Sequence, residues 1–300
     1  MILTVTLNPA VDKTCQIARL LPGEVNRLEK TFSVAGGKGI NVTKILRQFH
    51  LPAAAMGFLG GYTGRMIEDA VMELGAECHF TRIQGETRTN VNLLGADGYV
   101  TELLEPGPEI SKEELANFKK EFEYCLEQSS LVVLSGSVPK GVPADIYGEL
   151  AARCRAEGRR VILDTSGELL REGVKEKPYM IKPNKRELEF LAGCRLPDQE
   201  AVEEEAKRLA EQGVCKVVVS MGSRGILYVD REQTIFEPAK DVKVLNTVGC
   251  GDSVVASMAM SEQAGEEPSM ALKKAAALSA ANAVTRESGK IPMDVYLELL

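Results

Sequence analysis

Near the C-terminus the run Asn246-Thr247-Val248-Gly249-Cys250-Gly251-Asp252-Ser253 leads into an apolar stretch of helical period. Glycines on both sides of Cys250 let the backbone turn tightly and aim successive N–H groups at one point, where the helix dipole adds partial positive charge. Such a turn binds anions. Asp252, in the first helical turn, has two readings: a favourable partner of the dipole, or a general base that takes a proton from a hydroxyl as a phosphoryl group arrives. A dinucleotide fingerprint is excluded because its third glycine position holds Val254.

A second constellation, Ala35-Gly36-Gly37-Lys38-Gly39-Ile40-Asn41-Val42, opens a helix with three glycines and a lysine. It lacks the spacing of a Walker A loop, so Lys38 need not face a nucleotide. The glycines permit close backbone approach to a ligand, and Lys38 and Asn41 can donate to sugar hydroxyls or a phosphate; a flexible turn with a solvated lysine uses the same letters. Third, Lys182-Pro183-Asn184-Lys185-Arg186-Glu187 follows an expected strand. Asn184 and Glu187 share one face of the next helical turn, a pair that suits a hard cation such as Mg²⁺ or an N-terminal capping box. Further polar residues fall at expected strand ends or on flanking hairpins: Asn8, Asp12, Arg27, Arg88, Asn90, Ser135-Gly136-Ser137 and Ser220-Met221-Gly222-Ser223-Arg224-Gly225. Each alone also fits a turn.

Short β-branched runs alternate with longer helical segments, which predicts an α/β fold with a mainly parallel sheet. The expected central strands are Ile2 to Leu7, Ala53 to Phe58, Leu131 to Ser135, Val161 to Asp164, Tyr179 to Lys182 and Val217 to Ser220. Helices are expected over Asn41 to Gln48, Gly64 to Leu74, Lys112 to Glu127, Ala144 to Glu157, Glu200 to Gln212, Asp252 to Gln263 and Ser269 to Ala283. Ser111 followed by Glu114 has capping-box spacing, and Pro143 precedes the run that starts at Ala144. Two stretches, Thr14 to Phe32 and Thr87 to Leu104, lack helices and read as antiparallel strands around the turns Pro22-Gly23 and Asp97-Gly98. Two readings are open: a small separate sheet acting as a lid inserted into a single domain spanning 1–300 and closing the strand ends to water, or two surface hairpins with no role.

Composition narrows the chemistry. The 300 residues carry 36 basic and 43 acidic side chains, net −7, with no basic surplus for nucleic acid. The apolar runs are far shorter than the roughly 20 residues that cross a bilayer. No basic segment precedes Met1 to Leu7, and a cytoplasmic protein is expected. Seven scattered cysteines contain no C-x-x-C pair, and only two histidines, His50 and His79, are present. Zinc-hydrolase and Ser/His/Asp chemistry are thereby disfavoured. Carboxylates, lysines, arginines and backbone amides must do the work.

Taken in order, Thr6-Leu7-Asn8-Pro9-Ala10-Val11-Asp12, the Gly36 to Val42 run, Lys182-Pro183-Asn184-x-x-Glu187 and Gly249-x-Gly251-Asp252-Ser253 resemble the ribokinase-like sugar kinases of the PfkB family over essentially the whole chain. Gly23-Glu24-Val25-Asn26-Arg27, Ser135-Gly136-Ser137-Val138-Pro139 and Leu163-Asp164-Thr165-Ser166-Gly167 look like its 1-phosphofructokinase and tagatose-6-phosphate kinase branch. The resemblance implies a three-layer αβα fold with a mostly parallel sheet and a small β-sheet lid, the lid formed by about 12–33 and 87–105. It implies ATP-dependent phosphorylation of a ketohexose monophosphate, with fructose 1-phosphate favoured. Tagatose 6-phosphate is the alternative, and a non-catalytic sugar-phosphate sensor a remote one.

By the same resemblance Asp252 is the base, and the amides of Gly249, Cys250 and Gly251 stabilise the transferring phosphoryl. Asp12, Gly36, Gly37 and Asn41 hold the sugar, while Arg27, Lys38, Arg88, Asn90 and Ser137 face the phosphate it already carries. Lys182, Asn184 and Glu187 handle ATP and Mg²⁺, Glu187 through water; Ser220, Gly222 and Gly225 line the nucleotide cleft, with Asn282 on the adenine side. Cys250 replaces a small Ala or Ser, which predicts sensitivity to thiol reagents, and Asn246 replaces an aspartate near a monovalent-cation site. Apolar lid residues Val25, Leu28, Val91 and Leu93 predict a homodimer through the lid.

Overall fold

The computed structural model describes residues 1–96 and 99–300. Thirteen strands are assigned among them: β1 Ile2–Thr6, β2 Ala10–Ile17, β3 Lys30–Gly36, β4 Ala53–Leu59, β5 Glu77–Arg82, β6 Arg88–Gly95, β7 Val100–Leu104, β8 Leu131–Ser135, β9 Arg160–Asp164, β10 Met180–Ile181, β11 Lys216–Ser220, β12 Gly225–Val229 and β13 Thr234–Pro238. The helices are α1 Lys38–Gln48, α2 Gly61–Glu73, α3 Lys112–Glu127, α4 Ile146–Ala156, α5 Gly167–Lys175, α6 Lys185–Ala192, α7 Gln199–Glu211, α8 Cys250–Ala264, α9 Pro268–Ala283 and α10 Met293–Leu299.

Nine strands form the central sheet in the order β13-β12-β11-β10-β9-β8-β1-β4-β5. Pairing is parallel from β5 to β11, and β12 and β13 add an antiparallel edge. The strands read as continuous apolar runs because both faces are covered. Leu3, Val5, Val132, Leu134, Val217 and Val219 enter a core with residues of α3, α4 and α7. Their neighbours Ile2, Leu131, Val133 and Val218 face a second core with residues of α1, α8 and α9. This period of two sandwiches the sheet between helical layers, and truncating a buried ring such as Phe118 to alanine would cost about 3–5 kcal/mol.

Local signals explain the helix starts. Ser111 and Glu114 close the expected capping box at α3, while Asp198 caps α7 and Pro268 begins α9. The strand expected over Tyr179 to Lys182 is shorter: Lys182 N still donates to Leu163 O at 3.2 Å, but Pro183 has no N–H with which to carry the ladder further.

Four strands form a separate sheet in the order β3-β2-β6-β7. Its two hairpins are antiparallel as expected, but β2 and β6 join them in parallel, Asp12 opposite Asn90. The reading of these segments as antiparallel strands is corrected in one respect: each hairpin leaves the body separately, and the two central strands run the same way. The turn expected at Asp97-Gly98 lies outside the described residues.

Candidate active site

Asn8, Ser137, Asp164 and Lys182 lie at or just beyond the C-terminal ends of β1, β8, β9 and β10. Such ends are where open α/β sheets bind ligands. A cleft of about 250 Å³ opens there, and Asp12, Lys38, Asn41, Arg88, Asn90 and Asp252 are among its lining residues. The start of α1 supplies Lys38 and Asn41, that of α8 supplies Asp252, and the small sheet supplies Asp12, Arg88 and Asn90.

Asp252 is buried, and Asn41 Nδ2 donates to its Oδ2 at 2.8 Å. Burial, reinforced by the nearby Asp164 carboxylate, pushes the Asp252 carboxyl up to about 6, against the opposing pull of Lys38, Asn41 and Lys182. A carboxylate so poised is suited to accept a proton near neutral pH. Beneath it lies Lys44, whose ammonium donates to Ala35 O, and at 3.3 Å to both Asn41 Oδ1 and Ser288 O. By holding Oδ1, Lys44 fixes the amide so that Nδ2 faces Asp252. Burial brings Lys44 down to about 8, although Asp12, Asp252 and Glu287 favour its charged form.

Asp164 organises the cations. Its Oδ1 lies 3.1 Å from Lys38 Nζ and 3.2 Å from Lys182 Nζ. Burial works against its charge, but Lys182 and Lys38 overcome that and hold the carboxyl below its usual range. Crowding by protein likewise disfavours the charge on Lys38, yet Asp164, Asp252 and Glu187 reverse the effect and keep it cationic. A Cβ on Gly251 would stand 3.3 Å from Lys182 Nζ, so this ammonium sits against the turn that opens α8. Gly249, at φ 85°, permits that turn, a conformation other residues seldom adopt.

On the side of the small sheet, Asn90 Nδ2 donates to Asp12 Oδ1 at 2.9 Å. Burial raises the Asp12 carboxyl, with Asn90, Lys44 and Arg88 pulling the other way. Gly36 makes room: a Cβ there would fall 2.0 Å from Asp12 Oδ2. Arg88 donates from Nε and Nη2 to Asn8 O and from Nη1 to Glu105 O, which aims a rigid guanidinium at the cleft. Asn8 in turn donates to Ser137 Oγ at 3.3 Å. Gly37 also lines the cleft.

Other residues named from sequence are placed elsewhere. Arg27 is exposed on the β2–β3 connection and does not line the cleft. Asn184 and Glu187 form a reciprocal capping box at α6: Asn184 Oδ1 accepts from Glu187 N, and Glu187 Oε2 accepts from Asn184 N. Ser220 ends β11, and Gly222 has open space around it. Gly225 is required by the neighbouring strand, since a Cβ would lie 2.1 Å from Glu237 O.

Asn282 is fully buried, donates to Val248 O at 2.8 Å and accepts from Gly289 N at 2.9 Å, tying the glycine turn to the C-terminal segment. Cys250 is poorly disposed to react, because burial pushes its thiol up and the sulfur faces Asn246 O and Ser279 O. Its N–H already closes onto Thr247 O at 3.3 Å.

Sequence reasoning named Asp164 only within a motif and missed Lys44. An acidic residue ending the apolar strand Val161 to Asp164 was the available signal for the first. Lys44 carried no signal apart from falling three residues after Asn41.

A family model described as pfkB family carbohydrate kinase matches residues 4–294. The 1-phosphofructokinase of Bacillus subtilis (strain 168) is 40% identical over 256 residues, 85% of this chain and 84% of that protein. The crystal structure of phosphofructokinase-2 from Escherichia coli with substrates and products superposes with a TM-score of 0.92 at 28% identity, covering 99% of each chain. That of a possible 1-phosphofructokinase from Thermotoga maritima gives 0.90 at 28% identity, over 100% of this chain and 97% of the other.

Proposed function

The chain belongs to the pfkB family of carbohydrate kinases, and from that membership we propose that it transfers the γ-phosphoryl group of ATP to a hydroxyl of fructose 1-phosphate, yielding fructose 1,6-bisphosphate. The 1-phosphofructokinase similar over 85% of the chain supports this substrate. The single structural observation that carries the chemistry is the buried Asp252 at the start of α8, oriented by Asn41 and beside the Gly249–Gly251 turn.

Asp252 takes the proton of the acceptor hydroxyl as that oxygen attacks phosphorus, and Asn41 holds the carboxylate in place. The glycine turn, the dipole of α8 and Lys182 stabilise negative charge on the group in transit. Asp12 and Asn90 meet sugar hydroxyls, while Arg88, Lys38 and Ser137 engage the phosphate that the sugar already carries. Arg27 would reach that phosphate only after movement of its exposed connection or from a second copy.

The nucleotide side suits a triphosphate: the space a Cβ of Gly251 would fill lies against Lys182. It also suits a hard cation, because the capping box uses one Glu187 oxygen and leaves Oε1 to hold hydrated Mg²⁺. Magnesium bound with ATP would neutralise phosphate charge. Ser220 and Gly222 would border the nucleotide.

A homodimer through the lid is supported by exposed apolar residues on the small sheet and its connections, where Val25 is 82% exposed and Leu28, Leu103 and Leu104 are also uncovered. Val91 and Leu93, expected there too, are half-buried. Among the described residues no helix is long and apolar enough to cross a membrane.

The test is a coupled kinase assay over fructose 1-phosphate, tagatose 6-phosphate, fructose 6-phosphate and unphosphorylated sugars. Fructose 1-phosphate should give the highest kcat/KM. A preference for tagatose 6-phosphate would overturn the substrate and keep the reaction; binding of sugar phosphates without turnover would overturn both.

A further inference from the structure

Far from this site, on the edge strand of the large sheet, His79 Nδ1 of β5 lies 2.8 Å from Glu121 Oε1 of α3. Glu121 and Cys125 are four residues apart on α3, which puts both side chains on one helix face. Among the described residues, His79, Glu121 and Cys125 bring a nitrogen, an oxygen and a sulfur ligand atom within 4.8 Å of one another. On the far side of the imidazole, Glu77 Oε2 lies 3.5 Å from Nε2. We propose that His79, Glu121 and Cys125 form a binding site for a borderline-soft divalent cation, Zn²⁺ or its analogue Co²⁺, which pins β5 to α3.

The donor set decides the class of ion. A thiolate, an imidazole and a carboxylate suit Zn²⁺, whereas Mg²⁺ and Ca²⁺ require oxygen ligands. Tetrahedral zinc, with bonds of about 2.0–2.3 Å, separates its ligand atoms by about 3.3–3.7 Å. The present Nδ1 to Oε1 distance of 2.8 Å must therefore open slightly. Three protein ligands leave the fourth position to water.

Glu77 plays the outer part. A metal at Nδ1 would replace the hydrogen bond between Nδ1 and Glu121, and the ring N–H would then stand at Nε2 beside Glu77, the kind of carboxylate partner that orients most metal-bound histidines. Access is from solvent: the Glu121 side chain is 41% exposed and His79 19%, whereas Cys125 forms the closed floor. Burial, with Glu121 and Glu77 adding negative potential, pushes the Cys125 thiol up to about 12 without a cation. On binding, the thiol proton passes to solvent, the imidazole proton resides on Nε2, and the S–metal, N–metal and O–metal bonds form with no change of oxidation state. Affinity accordingly rises with pH.

The site lies away from the lid end of β5. Past that end, Gln84 N donates to Glu114 Oε1 in the first turn of α3. Occupancy therefore ties together the opposite end of the same strand and helix, and binding to the folded state alone raises thermal stability by mass action.

The test is titration of the purified full-length protein with Co²⁺, read by the thiolate charge-transfer band in the near ultraviolet and tetrahedral bands in the visible. One Co²⁺ per chain is expected, displaced by Zn²⁺, with a rise in melting temperature. Cys125→Ala should abolish the charge-transfer band. His79→Gln, in a half-buried position that should fold normally, should weaken binding by at least about 100-fold, and Glu77→Gln by about 10–100-fold. Cys194→Ser, at an exposed cysteine elsewhere, should leave the spectrum unchanged. Absence of the bands from the unmodified protein, or their persistence in folded Cys125→Ala and His79→Gln, overturns the proposal.

Discussion

The amide of Asn41 donates a 2.8 Å hydrogen bond to Asp252, across 211 residues of chain, and so fixes a helix of the N-terminal half to the proposed base carried by a helix of the C-terminal half. A contact that long in sequence and that short in space makes the site depend on the registration of α1 against α8. It also makes Asp252 a group whose charge can be adjusted from its neighbour.

Replacing Asp252 by Asn should lower kcat by about 10²–10⁴-fold or more, with little change in sugar-phosphate affinity. The comparison needs turnover by coupled assay and binding by calorimetry on the same preparation. Near wild-type turnover would falsify the base assignment.

The same substitution should stabilise the fold at neutral pH. Burial pushes the Asp252 carboxyl up to about 6 from its ordinary 3.8, so the folded state holds the proton more tightly and stability falls as pH rises between these values. Asn does not lose a proton. Urea midpoints should therefore favour D252N at pH 8 and converge with wild type near pH 4; equal midpoints at pH 8 would contradict the burial argument.

For the wild type, kcat/KM should fall as pH drops through about 6, because the base is then protonated. Asn41→Leu removes a hydrogen bond that favours the carboxylate, so the acidic limb should move to higher pH. A pH profile of N41L superimposable on wild type would detach Asn41 from the base.

Gly36→Ala should raise the KM for sugar phosphate by about 10–100-fold, the cost of losing a charged hydrogen bond, because the new Cβ would stand 2.0 Å from Asp12 Oδ2 and displace it. Melting temperature should change little. Arg88→Ala should likewise act chiefly on this KM, and saturation curves for both variants with ATP held in excess provide the check.

Asp164→Ala leaves Lys182 without its buried partner and should cost about 3–5 kcal/mol in urea unfolding. The folded pKa of Asp164 is depressed, so the stability it provides is present above the unfolded value and is lost as pH falls through the folded one. The wild-type advantage over D164A should accordingly shrink in strong acid; a gap that persists unchanged there would argue for a packing effect alone.

The glycine-rich helix starts, the apolar parallel strands and the polar residues at their ends were legible in sequence because each is a local pattern. Gly36, Gly249 and Asp252 announce themselves by type and spacing. The parallel pairing of β2 with β6 was not legible, since nothing within either strand specifies a partner so distant. β12 and β13 were hidden by short runs beside Gly225 that read as turns. The bridge that Asn282 makes between Val248 and Gly289 was not legible, because a buried amide carries the same letter as one facing a ligand. Lys44 escaped because a lysine in a helix is ordinarily solvated, and only the fold brings three acceptors around it.

The parallel join at the centre of the small sheet constrains how the enzyme comes together. A hairpin can form by itself, but Asp12 and Asn90 meet only after 78 residues of chain have been looped back, and those residues include β4 and β5 of the body. Loop closure over that distance is slow unless the intervening segment is already ordered. The cover of the active site should therefore assemble late, on a finished platform. It cannot be excised and refolded as an independent piece, and cutting the chain between α1 and α2 would disconnect its two halves.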